Sequence, residues 1–251
     1  MTDEARETYV QLILTRERVE KEALQAEMDF TREFGELIRD VFQMKVDCIA
    51  LKKSITYCQM AANRGEEIDP LSMQEYIDSH MAAYYVQLKD LLQKVDAAKS
   101  AETISVADVN EIKKIYRRVA KKLHPDVSPL CTEHPELMEQ FQKVLLAYKC
   151  NDLKTIREAE TVINSILDGL GEEAFETPIE DIEAKISAVE EEISRIMSAE
   201  PYTFRTLLDD PDAVEKKRNE LEEELASYTK YRDELQETLN AMLAGQIGGN
   251  E

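Results

Sequence analysis

Helix breakers are scarce in this chain: 251 residues contain only seven glycines and seven prolines. Glycine loosens a helix and proline interrupts it. Their scarcity, with charged residues at 33% and no tryptophan, predicts an all-α chain of long helices, some of them coiled. Residues 4–62 read as one long helix, because Phe30, Phe34, Leu37, Ile38, Val41 and Phe42 recur at helical spacing; Gly35 is the candidate site of a kink. Asn63-Arg64-Gly65 is a stop signal, and Asp69-Pro70 is an N-cap with proline at the first helical position. A second helix then runs to about Lys99, with Tyr76, Ile77, Tyr84, Leu88, Leu91, Leu92 and Val95 along it. Beyond a linker at 100–107, Ser105 or Asp108 caps a helix that ends near Leu123. A loop at 125–134 and helices at about 135–150 and 152–168 follow, and no strand-like alternation is long enough to assign.

The last third carries two apolar seams. Thr177-Pro178-Ile179-Glu180 is a capping box, and behind it Ile179, Ile182, Ile186, Val189, Ile193 and Ile196 alternate by three and four. After Glu200-Pro201, a new start at Asp210-Pro211 leads into Val214, Leu221, Leu225, Tyr228, Leu235, Leu239 and Met242 at the same spacing. Two such helices joined by a short connection are expected to fold back as an antiparallel coiled-coil hairpin, capped by the aromatics of Pro201-Tyr202-Thr203-Phe204. The expected division is an N-terminal long helix at 1–66, a helical domain at 67–168 with its core at 105–157, the hairpin at 177–244, and a disordered tail at 245–251.

Charge restricts the partners. A net charge of −21 opposes a general role in binding nucleic acid or anionic membrane, both polyanions. Cys48, Cys58, Cys131 and Cys150 form no CxxC pair and have no histidine at metal-ligand spacing, so neither a metal nor another cofactor is expected. Cys131 and Cys150 read as packing residues, and His80 and His134 as surface or capping ones. Met1 is followed by Thr2-Asp3-Glu4 rather than a basic and apolar leader, and no apolar run is long enough to span a membrane. The expectation is a cytoplasmic protein with reduced thiols.

Against this acidity, one segment stands out. Residues 111–126, EIKKIYRRVAKKLHPD, hold six basic and two acidic side chains, a local +4 in a chain whose remainder is −25. Lys113, Arg117 and Lys121 form one i,i+4 ladder, and Lys114, Arg118 and Lys122 another. Ile112, Ile115, Tyr116, Val119, Ala120 and Leu123 fill the opposite half of the helix. Stacked like charges disfavour a helix, so such a face points to a negative partner. The residue before a proline is pushed out of the α region, so the helix ends near Leu123. His124, Pro125 and Asp126 then form a stiff docking tip, in which Asp126 can accept a hydrogen bond from an arginine.

These residues resemble the J-domain family of DnaJ-like co-chaperones. The resemblance runs through Glu111-Ile112-Lys113-Lys114-Ile115-Tyr116-Arg117, Ala120, Leu123 and His124-Pro125-Asp126, and resumes at Phe141, Val144, Ala147 and Tyr148. It implies an antiparallel helix pair with the tripeptide at its tip, and Phe141, Val144 and Tyr148 facing Ile112, Tyr116 and Val119. It also implies that His124, Pro125 and Asp126, with Lys113, Lys114, Arg117, Arg118, Lys121 and Lys122, contact a DnaK-like heat-shock chaperone and accelerate its ATP hydrolysis. The J protein itself supplies no catalytic group, and no enzyme activity is expected.

The chain departs from the family in places. The usual Tyr-Tyr-x-x-Leu-Gly motif of the first helix is missing, and Tyr84, Tyr85 and Leu88 are candidates to replace it. Asn151-Asp152-Leu153-Lys154 stands where a basic motif is usual, and there is neither a Gly/Phe-rich region nor a CxxCxGxG module. The alternative reading is a helical scaffold or adaptor that binds an unknown client or partner through its coiled segments; self-association through the N-terminal helix is a third.

Overall fold

In a computed structural model, residues 3–100, 104–170, 179 and 181–247 are described, and among them the chain is helical throughout, without strands. The order is α1 (Asp3–Arg64), α2 (Pro70–Ser100), α3 (Val106–Leu123), α4 (Leu130–Glu133), α5 (Pro135–Cys150), α6 (Leu153–Leu170), α7 (Ile182–Ser198), α8 (Phe204–Leu208) and α9 (Pro211–Ile247).

Local chemistry sets most of these ends. Gly65 closes α1 at φ 67°, a conformation open to glycine because it lacks a Cβ. Its N–H donates to Ala62 O, and the N–H of Glu66 to Ala61 O, which satisfies two terminal carbonyls. Asp69 Oδ2 accepts from the Ser72 N–H at 2.9 Å, and Pro70 opens α2. Of the two caps expected for α3, Ser105 serves: its Oγ accepts from the Asp108 N–H at 3.1 Å. Asn151 ends α5 in the left-handed region, and Asp152 Oδ1 accepts from the Thr155 N–H to start α6. The short α4 lies within the expected loop 125–134.

The described residues fall into two compact units, the first from those up to 27 with those from 104 to 205, the second from 28–100 with those from 206 on. The first is centred on α3, α5 and α6. Ile112, Tyr116, Val119 and Leu123 of α3 meet Leu137, Phe141, Val144 and Tyr148 of α5 and Ile156, Ile163 and Leu167 of α6, with Leu14 of α1 against them. Leu123, Leu137, Val144 and Ile156 are fully buried, each contributing about 1.5–3 kcal/mol by removal from water. In the same unit, Ile182, Ile186, Val189 and Ile193 of α7 pack with Tyr9, Val10 and Ile13 of α1.

In the second unit, Phe30, Phe34, Leu37 and Val41 of α1 pack with Val214, Leu221, Leu225 and Tyr228 of α9. Further along, Ile55 and Cys58 meet Leu235 and Leu239. Val46 and Phe42 meet Ile77, Met81 and Tyr84 of α2.

Several expectations change. Within its own unit, each C-terminal seam packs with α1, whose long apolar stripe offers a matching face. The capping box at 177–180 lies, apart from Ile179, outside the described residues. Helix α1 is continuous through Gly35, where the reason for glycine is proximity: a Cβ there would lie 3.0 Å from Val95 Cγ2. Helix α9 passes through Gly245 to Ile247, and the rest of the expected tail is outside the described residues. Tyr202 underlies the Arg205 guanidinium, which pairs with Glu22 of α1 at 2.6 Å.

Candidate functional site

Helix α3 stops where proline requires it. His124 takes φ −58° and ψ 128°, the extended conformation imposed by Pro125, while its N–H still closes the helix on Ala120 O at 3.0 Å. Its carbonyl accepts from the N–H groups of Val127 (2.8 Å) and Ser128 (2.9 Å), folding the tripeptide into a tight turn. The Asp126 N–H donates to His124 Nδ1 at 3.2 Å. That bond makes Nδ1 the acceptor, so the ring proton of the neutral tautomer sits on Nε2.

Behind the turn, α3 and α5 brace each other. The rings of Tyr116 and Tyr148 stack with centroids 4.1 Å apart, and Phe141 meets His124 edge-on at 5.4 Å. Burial pushes the Tyr148 hydroxyl up to about 12 and the Cys131 thiol up to about 11, and raises Tyr116 further. Cys131 is a packing residue as expected, its thiol donating to Leu123 O at 2.9 Å; Cys150, expected to pack, is exposed because it lies on the outer face of α5. Among the described residues no cluster of histidine, cysteine and carboxylate side chains could hold a metal ion, and no helix is long and apolar enough to cross a membrane.

The tip is not fully presented. Pro125 and Asp126 are exposed, but His124 is only 5% exposed. The cover is α1. Glu17 Oε1 stands 3.8 Å from His124 Nε2, facing the proton assigned there, and Arg16 reaches Asp126 Oδ2 at 3.3 Å. Arg16 also approaches Glu17 at 3.4 Å and Glu192 of α7 at 3.5 Å. Glu17 is itself 5% exposed. Burial raises its carboxyl pKa, but His124, Lys149 and Arg16 together outweigh burial and hold the group below the ordinary carboxylate range. One turn on, Lys21 Nζ donates to Tyr148 O at 2.6 Å and lies 4.1 Å above the Tyr148 ring. Burial and the nearby Lys113 lower Lys21 to about 8.

The six basic residues of α3 divide by environment. Arg118 makes a two-pronged bond to Glu160 of α6 at 2.8 and 2.9 Å. Lys121 approaches Glu7 of α1 at 3.5 Å. Lys113 is half-buried near Lys21. Lys114, Arg117 and Lys122 are exposed and form no ion pair among the described residues. Tyr84, Tyr85 and Leu88, the candidate replacement for a first helix, lie in the second unit, where Tyr84 packs toward Val46 and Met81. The α3–α5 pair is instead completed by α6 and by the turn of α1 from Leu14 to Lys21. That role of α1 was missed in the sequence, although a signal exists: Tyr9, Ile13, Glu17 and Lys21 form one i,i+4 row, in which two charges continue an apolar stripe.

The site thus combines a basic helix, a proline-stiffened turn and an aromatic brace, all on helical elements. The comparison with protein families points the same way: the DnaJ domain model matches residues 103–159, so this segment of the chain is similar to a DnaJ domain. No curated protein and no solved structure matched the chain.

Proposed function

We propose that this protein is a co-chaperone that stimulates ATP hydrolysis by a DnaK-like chaperone of the seventy-kilodalton heat-shock class, acting through His124-Pro125-Asp126 and the basic face of α3. One observation carries the reading: a proline-stiffened carboxylate tip closes a helix whose exposed Lys114, Arg117 and Lys122 lack acidic partners among the described residues. An acidic partner surface complements that face, and an arginine complements Asp126.

Single-turnover ATP hydrolysis by a DnaK-like chaperone tests this. Wild-type protein is expected to accelerate it, and His124→Gln and Asp126→Asn to abolish the acceleration. Equal rates with wild type, both variants and no addition would rule the reading out.

The burial of His124 favours a second reading, in which the tripeptide is structural and the chain is a helical adaptor. That reading predicts that His124→Gln destabilises the fold while partner capture through α1 or α9 persists.

A further inference from the structure

We infer that the turn of α1 carrying Arg16 and Glu17 is a built-in blocker of the His-Pro-Asp tip, imitating the chaperone surface and releasing when the chaperone competes for it. This rests on the co-chaperone reading above.

The imitation is chemical. A partner for this module must offer acids to the basic face, an arginine to Asp126 and a contact for the His124 ring. Helix α1 supplies all of these from its first turns: Glu7 toward Lys121, Arg16 toward Asp126 and Glu17 toward His124. Apolar contact holds the blocker in register, because Tyr9, Val10 and Ile13 pack in one cluster with Val127, next to the tip.

The clasp is also poorly satisfied, which suits it to opening. The ion-pair distances of Arg16 and Glu17 run from 3.3 to 3.9 Å, the longest being Lys149 to Glu17. Arg16 Nε and Glu17 Oε2 are buried without a hydrogen-bond partner. Release lets these two orphaned atoms bond to water. While the clasp is shut, only the open fraction of molecules can dock, and apparent affinity falls by that fraction.

The test uses the full chain in the single-turnover assay, with an Arg16→Ala/Glu17→Gln double variant and Glu33→Gln as a control. Glu33 pairs with Arg218 in the second unit. The double variant is expected to reach half-maximal stimulation at a roughly tenfold lower concentration than wild type, and Glu33→Gln to match wild type. Adding Asp126→Asn to the double variant is expected to remove the stimulation. If wild type stimulates and the double variant does no better, the blocker is disproved and the co-chaperone reading stands. If neither stimulates, both fall.

Hydrogen exchange on the wild-type chain covers the case of a double variant that fails to fold. On adding the ATP-bound chaperone, amides of residues 9–21 are expected to lose protection while those of 30–58 keep it. Unchanged protection at 9–21 in the complex would overturn the inference.

Discussion

The ring of His124 stands edge-on to Phe141, with centroids 5.4 Å apart. The tip is thus held from inside by the α5 aromatic as well as covered by α1. Phe141 is 3% exposed. Phe141→Ala is expected to destabilise the first unit by about 3–5 kcal/mol through the cavity it leaves. Urea unfolding checks the loss. Stimulation of the chaperone should also fall at temperatures where the variant is still folded, because the imidazole loses its backing.

The basic residues should not be equivalent. Arg118 is committed to Glu160, whereas Arg117 and Lys122 face solvent without an acid among the described residues. Arg117→Ala and Lys122→Ala are expected to raise the half-maximal concentration for ATPase stimulation several-fold, more steeply at low salt. Arg118→Ala should change that concentration less and reduce stability by about 1 kcal/mol or less, the usual worth of a largely exposed pair.

Lys21 gives the first unit a pH signature. Its folded-state pKa is about 8 against an ordinary 10.5, because burial and Lys113 disfavour its charge. Below pH 8 both folded and unfolded chains carry the proton, and the burial penalty is fully present. Between about 8 and 10.5 the folded chain has released a proton that the unfolded chain keeps, so this contribution to stability rises with pH. Lys21→Met lacks that rise. The stability difference between Lys21→Met and wild type is therefore expected to shift toward wild type by on the order of 2 kcal/mol from pH 7 to pH 10. Urea midpoints of both proteins at the two pH values measure it, and the subtraction cancels the other titrating groups.

In the second unit, Gly35 should resist the substitution that helix propensity favours. Alanine at an interior helical position usually gains about 1 kcal/mol over glycine. Here the new methyl would meet Val95 Cγ2 at 3.0 Å and Thr31 Cγ2 at 3.1 Å. Gly35→Ala is expected to lower thermal stability in the wild-type background and to raise it in a Val95→Ala/Thr31→Ser background, where both methyls are gone. A thermal mutant cycle between the two backgrounds reads the change of sign.

Where sequence reasoning succeeded, the physics was local. Pro125 forces the helix to end at His124, Gly65 terminates α1, Asp69 and Ser105 cap their helices, and the apolar positions of α3 and α5 find each other. Each of these rests on a few neighbouring residues or on one helical face. The sequence is less legible where a face has more than one acceptable partner. The isoleucine row of α7 and the leucine row of α9 match any apolar stripe of the right period, and α1 is long enough to serve both.

By itself, then, the sequence determined an all-helical chain, the positions of most helix ends and a basic helix finishing in His124-Pro125-Asp126, because backbone sterics, capping and periodicity act over a few residues. Only the tertiary structure decided that α1 lies over that tip, burying His124 beside Glu17 and holding Asp126 with Arg16. Those contacts join residues more than a hundred positions apart, and no periodicity encodes which charged face of one helix will meet the end of another.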